Sequence, residues 1–220
     1  VAEKRIRRRH YQRSEKGAVT MEEAVRFRSG ELALEGLFES GRANRGVVIT
    51  HPHPLYGGDM QNPVVDAIRS AYRAKDVATL RFNFRGTGSS QGCYDNGAGE
   101  RDDVAAALAL MRDSGIRTVE LAGYSFGAWV NALTHQHDGL SEDLVMVSPP
   151  VEFIDFTSIG PLPGLRLVVT GSRDEMAPPA VIRRMMPAWN PSAQSVIIGG
   201  ADHFYGRSIP LLVDTLRQHI

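Results

Sequence analysis

Residues 118–133 place Gly123-Tyr124-Ser125-Phe126-Gly127 between two segments of different character. Before it runs Thr118-Val119-Glu120-Leu121-Ala122, short and strand-like; after it runs Ala128-Trp129-Val130-Asn131-Ala132-Leu133, with helical character. A Gly-x-Ser-x-Gly in that setting predicts a sharp strand-to-helix turn, with the serine hydroxyl projecting from the top of a sheet. The glycines follow from space, because a Cβ at either position would collide with the neighbouring strand or helix. The pentapeptide alone is weak: with 22 Gly in 220 residues, chance gives roughly 0.1–0.2 matches. A second match, Gly88-Ser89-Ser90-Gln91-Gly92, precedes the turn-rich Cys93-Tyr94-Asp95-Asn96-Gly97, which has no helical spacing. Ser90 therefore reads as a serine of a flexible loop, and Ser125 as the nucleophile.

The rest of the chain alternates strand and helix signals. Val25-Arg26-Phe27 and Leu32–Phe38 read as two strands joined by a Ser29-Gly30 turn. Gly46-Val47-Val48-Ile49-Thr50 is a continuous apolar run, as for a strand covered on both faces. Val64, Val65, Ile68 and Tyr72 have helical spacing over residues 63–74, and a strand follows over 77–82. Val104, Leu108 and Met111 mark a helix over 100–112. Further strands are expected at 144–147, 165–170 and 195–198, with helices from Pro178-Pro179 to Ala188 and over 205–219. This alternation predicts an α/β fold, a mostly parallel sheet flanked by helices on both faces.

Charge and cysteine content narrow the function classes. Lys+Arg and Asp+Glu number 25 each, so no general field draws nucleic acid or an anionic membrane. No apolar run reaches bilayer-spanning length, no signal-peptide pattern is seen, and the single Cys93 forms no internal disulfide. These features point to the cytoplasm. Lys4, Arg5, Arg7, Arg8, Arg9, Arg13 and Lys16 make residues 1–18 a basic segment, read as a solvated tail ahead of a single domain over 19–220.

A serine hydroxyl needs a base within hydrogen-bond reach and a third group to orient that base. In a doubly wound sheet such groups collect at the carboxyl ends of strands. Asp174 follows the apolar strand 165–170, and His203 follows the last strand, so the order Ser125, Asp174, His203 is nucleophile, acid, base. Glu175 and Asp202 are the rival acids. Among the other histidines, His135 and His137 lie at the far end of the elbow helix and read as surface groups, while His10 and His219 are near the termini. His51 and His53 sit on the loop His51-Pro52-His53-Pro54-Leu55-Tyr56-Gly57-Gly58, expected to supply one of two backbone N–H groups for a developing oxyanion. Phe126 is expected to supply the other. Pro52 and Pro54 have no N–H to give, which leaves His53 as the best-placed donor, with Leu55 or Tyr56 as alternatives. No nearby Cys or third His completes a metal site with His51 and His53, so neither metal nor cofactor is expected.

These motifs together resemble the small serine α/β-hydrolases, the dienelactone-hydrolase-like and small esterase branch. The resemblance rests on His51-Pro52-His53-Pro54, the turn Asn83 to Gly92, the Ser125 elbow, Gly171-x-x-Asp174 and Gly200-x-Asp-His203, and covers roughly residues 25–220. It implies an α/β-hydrolase fold of about eight strands, mostly parallel with the second antiparallel, in which Arg85 and its glycines shape a supporting turn. Dienelactone hydrolases proper use cysteine where this chain has Ser125. The segment from Ser148 to Gly164 is too short for a large lid, so an open site is expected, walled by Tyr56, Phe153, Phe156 and Phe204. Tyr56 and Tyr124, with the His53 and Phe126 amides, are the expected substrate contacts. The implied activity is hydrolysis of a small-molecule ester or thioester through an acyl-enzyme. A non-catalytic binding protein on the same shell, or a peptidase with the same triad, are the alternatives.

Overall fold

The computed structural model describes residues 21–138 and 143–220, so the basic segment 1–18 lies outside the described residues. Among the described residues eight strands form one sheet: β1 (Glu23–Ser29), β2 (Leu32–Glu39), β3 (Arg45–Thr50), β4 (Ala78–Phe82), β5 (Thr118–Tyr124), β6 (Leu144–Val147), β7 (Leu165–Gly171) and β8 (Gln194–Ile198). The same residues form five α-helices: α1 (Pro63–Arg73), α2 (Ala98–Asp113), α3 (Phe126–Asp138), α4 (Pro179–Trp189) and α5 (Ile209–His219). The strand order is β1-β2-β4-β3-β5-β6-β7-β8. β2 runs antiparallel to β1 and to β4, and the other pairings are parallel. This is the α/β-hydrolase arrangement that the motifs implied.

Period-two alternation builds the two halves of the core. Val48, Leu121 and Val168 face one apolar cluster, with α2, α3 and α4. Val47, Ile49, Ala122, Tyr124, Leu167 and Val169 face the other, with α1 and α5. A strand covered on both faces has no polar side, which is why β3 reads as an unbroken apolar run. One charge is buried in the middle strand. Glu120 of β5 is paired with Arg45 and Arg166 and accepts from the Tyr72 hydroxyl at 3.0 Å. An unpaired carboxylate at that depth would be strongly destabilising.

Local chemistry sets the helix starts. Asn62 caps α1, its Oδ1 accepting from Val64 N at 2.9 Å, with Pro63 preset for the first turn. The closing helix begins at Ile209 and not at residue 205, because Pro210 has no N–H to offer the Gly206 carbonyl and so belongs in a first turn. The hairpin turn is Gly30-Glu31, one residue later than expected, with Ser29 still paired to Leu32. Residues 148–164 fold down onto the sheet as Ile159 and Leu162 join the core, and this segment forms no lid. Among the described residues no helix is long and apolar enough to cross a membrane.

Candidate active site

The turn between β5 and α3 is built as its glycines require. Ser125 has φ +55, in the left-handed region, and its N–H is held by the Val147 carbonyl at 3.0 Å. A Cβ on Gly123 would lie 2.6 Å from Ala128 N, and one on Gly127 would lie 2.6 Å from Thr50 Oγ1 and 2.7 Å from His51 O. Both distances are below any ordinary contact, so each glycine lets α3 close down against β5 or β3. The serine is thereby raised at the carboxyl edge, beside the loop that follows β3.

Three side chains from distant segments meet there. His203 Nε2 lies 3.0 Å from Ser125 Oγ, and His203 Nδ1 lies 3.0 and 3.1 Å from the two oxygens of Asp174. A carboxylate only accepts, so Nδ1 carries the imidazole proton and Nε2 is left to accept from the serine hydroxyl. Asp174 Oδ1 also accepts from Met176 N at 3.0 Å and Ala177 N at 2.8 Å. Burial pushes the Asp174 pKa up, but hydrogen bonds from His203, Ser148 and the Ala177 amide, with the imidazole's charge, outweigh it and hold the carboxyl below its usual range. The rival acids stand elsewhere. Asp202 Oδ1 accepts from Phe204 N and Tyr205 N at 3.1 and 3.0 Å, capping its own turn, and Glu175 is exposed.

The loop after β3 leaves few amides free. Leu55 N donates to His53 Nδ1 at 3.2 Å and Tyr56 N donates to His53 O at 3.1 Å, so both alternatives to His53 are already engaged. Among the described residues neither the His53 nor the Phe126 amide donates to a protein acceptor. The His53 ring packs against Phe126 at 4.8 Å, Tyr94 at 5.0 Å and Tyr56 at 4.8 Å between centroids, and burial lowers its pKa. His51 serves the loop differently. It is fully buried, its Nδ1 donates to Pro52 O at 2.7 Å, and its Nε2 accepts from Phe84 N at 3.0 Å. Burial drives its pKa down to about 4. Behind Phe84, the Arg85 guanidinium is clamped on the buried Asp103 carboxylate at 2.8 Å, and Gly99 leaves room for it.

Several expected residues take other places. Tyr124 is only 2% exposed and faces the α1/α5 side of the core; its hydroxyl donates to His203 O at 2.9 Å, so it supports the histidine and does not line an opening. Phe156 is core, packed 5.6 Å from Trp189, whereas Tyr56, Phe153 and Phe204 are more than half exposed. His135 is buried and accepts from Gly164 N at 3.1 Å, contrary to the surface reading; the His137 side chain lies outside the described residues. Ser90 is not a flexible-loop serine: its Oγ donates to Asn83 O at 2.7 Å and accepts from Glu35 N at 3.1 Å, tying the turn to β2. Ser148 and Tyr205, buried beside Asp174, were not anticipated. Each follows a strand's carboxyl end, β6 and β8, which is the one signal that could have drawn notice. Tyr94, which packs on His53, carried no signal in its turn-rich segment.

No family model matches the chain. An uncharacterized protein of Rickettsia prowazekii is 30% identical over 193 residues, covering 82% of this chain and 81% of that one. The structure of an α/β serine hydrolase homologue from Coxiella burnetii superposes with a TM-score of 0.85 at 31% identity, covering 93% of this chain and 100% of the other. A Xanthomonas campestris protein, described as an α/β serine hydrolase without a lid, matches with a TM-score of 0.81 at 28% identity over 91% of this chain and 94% of its own.

Proposed function

The chain belongs to the small α/β serine hydrolases built without a lid, and on that footing we propose that it cleaves small carboxylic esters or thioesters through an acyl-enzyme. The observation that carries this reading is the hydrogen-bonded line from Ser125 Oγ through His203 to Asp174. His203 Nε2 takes the serine proton as Oγ attacks the carbonyl carbon, and then returns it to the leaving alcohol or thiol. Asp174 keeps the imidazole in the tautomer that leaves Nε2 free and stabilises the imidazolium. The amides of Phe126 and His53 receive the charge that develops on the carbonyl oxygen. Water, deprotonated by the same histidine, then releases the acid and restores Ser125. Each of these steps uses the chain's own residues.

Tyr56, at the exposed rim and 6.0 Å from the Phe153 ring, is the expected contact for the substrate's apolar part. An open rim of this kind favours acyl or alcohol groups that need no enclosing cavity. The test is a fluorophosphonate probe with mass-spectrometric mapping, alongside turnover of aryl esters, acyl thioesters and peptide anilides. Labelling at Ser125, lost in Ser125→Ala together with a fall in kcat on the order of 10⁴–10⁶, is expected. Absence of labelling on folded protein would favour a binding role, and preference for the anilide would favour a peptidase.

A further inference from the structure

We infer that His51 is a positioning residue for the oxyanion site: its imidazole holds the Pro52–His53 peptide so that the His53 N–H is presented to the substrate carbonyl at Ser125. This rests on the acyl-hydrolase reading above. A peptide group is planar, and in the trans form its C=O and N–H point opposite ways. The described residues contain no cis peptide, so what fixes the Pro52 carbonyl also fixes the His53 amide. His51 Nδ1 lies 2.7 Å from Pro52 O, and a carbonyl only accepts, so Nδ1 is the donor. The His51 ring is fully buried, which turns the other edge of the peptide, the N–H, away from the interior.

The sequence around it leaves this one plane to be set. Pro52 and Pro54 carry no N–H, so His53 supplies the single amide donor of the three. Pro54 keeps His53 out of the helical region, at φ −58 and ψ 123. His53 O accepts from Tyr56 N at 3.1 Å and Gly58 N at 3.0 Å, which fixes the peptide that follows. The Pro52 carbonyl has the His51 ring as its partner among the described residues. A Cβ on Gly58 would lie 2.1 Å from Pro52 O, so glycine leaves the carbonyl its place. A half-turn of this peptide would aim the Pro52 oxygen where negative charge develops, replacing attraction by repulsion.

The ring is itself held from the neighbouring strand. His51 Nε2 accepts from Phe84 N at 3.0 Å, just beyond β4, and the Phe84 ring packs edge-on at 4.7 Å. Arg85 N, the next amide, donates to Asp103 Oδ2 at 3.0 Å, which anchors the segment on α2. Both ring nitrogens are thus committed in one tautomer, and burial keeps that tautomer uncharged. The line from α2 to the His53 amide shares no hydrogen bond with His203 or Asp174.

Two substitutions divide the two bonds. In His51→Asn the side-chain amide reaches the place of Nδ1 and donates to Pro52 O. In His51→Gln it reaches the place of Nε2 and accepts from Phe84 N. Each strips one buried group of its partner, so both lower the urea midpoint. Turnover of p-nitrophenyl acetate separates them. In H51Q kcat falls about 10–100-fold with KM within about twofold, and kcat of H51N stands at least about fivefold above that of H51Q. Affinity for a trifluoromethyl ketone, whose serine adduct carries the oxyanion, falls in H51Q by about the same factor as kcat. The acidic limb of the pH profile, set by His203, stays where it is in both variants. Equal kcat in the two, a slower H51N, wild-type kcat in H51Q, or a moved acidic limb overturns the assignment. Should a variant fail to fold, long-range proton–nitrogen correlation on the native protein decides: the His51 proton is expected on Nδ1 and protected from exchange, and a proton on Nε2 overturns the assignment. If the native protein hydrolyses no ester, the acyl-hydrolase reading fails on its own, and the same spectrum still decides whether His51 holds the Pro52 carbonyl.

Discussion

Replacing His51 by Gln removes one titratable group from the interior while keeping an acceptor for the Phe84 amide. In the native fold His51 is neutral, with its proton on Nδ1 toward Pro52 O and its Nε2 lone pair toward Phe84 N. Burial lowers its pKa from 6.5 to about 4, against smaller opposing effects of the Pro52 carbonyl and Asp59. In the unfolded chain the same ring titrates near 6.5. The sign follows from the depressed folded value: as pH falls below about 6.5 the unfolded state takes up a proton that the folded state refuses, and stability declines until the folded value is reached. Between about pH 7.5 and about pH 4.5 the loss from this one ring is about 2.5 kcal/mol, a large part of a typical domain's stability. Asp174, whose pKa is depressed, contributes stability that begins to be lost as pH falls toward the unfolded carboxylate value of about 4, but it titrates alike in both proteins and cancels in the difference. His53 and His135, also lowered mainly by burial, titrate alike in both proteins and cancel in the difference. Urea denaturation of wild type and H51Q across that range is the assay. The wild-type curve should fall about 2.5 kcal/mol further than the H51Q curve. Parallel curves would refute the claim that His51 is held neutral by burial.

Asp174→Asn should lower kcat about 10⁴-fold, because an amide that donates to Nδ1 leaves the wrong imidazole tautomer facing Ser125. Asp202→Asn keeps a turn-capping acceptor and should leave kcat within about threefold of wild type in the same ester assay; the reverse ranking would assign the acid to Asp202. Ser90→Ala should lower unfolding free energy by about 1–2 kcal/mol in urea, since it strips the Glu35 amide and the Asn83 carbonyl of a partner, with kcat nearly unchanged. A large loss of kcat without loss of stability would show that Ser90 takes part in the chemistry.

Most of the framework was legible because it is written in short-range patterns. Apolar runs and helical spacings located the strands and helices to within a few residues, and their alternation forecast a mostly parallel sheet covered on both faces. The errors have local physical causes. The hairpin turn slid by one residue to put Gly30, and not Ser29, at positive φ. The last helix starts four residues later than its apolar spacing predicts, because Pro210 can sit only in a first turn. Aromatic and histidine side chains were the least legible. Phe156 and His135 look like surface or rim groups by position, but each fills a gap beside an element that is remote in the sequence.

What the chain determined by itself is the turn that raises Ser125, since Gly123 and Gly127 act through steric room within one strand–turn–helix unit. The succession of strands and helices along the chain, and the places where polar residues follow strands, were also fixed locally, by periodicity and composition. The contact between a carboxylate and the histidine was not. Ser125 and His203 are 78 residues apart, His203 and Asp174 are 29 apart, and Ser148 and Tyr205 are 57 apart. The position of Asp174 directly after a strand favours it over Asp202, but no pattern of spacing encodes the direction in which a buried side chain points. Packing of β6, β7 and β8 side by side turned one toward the imidazole and left the other to cap its own turn.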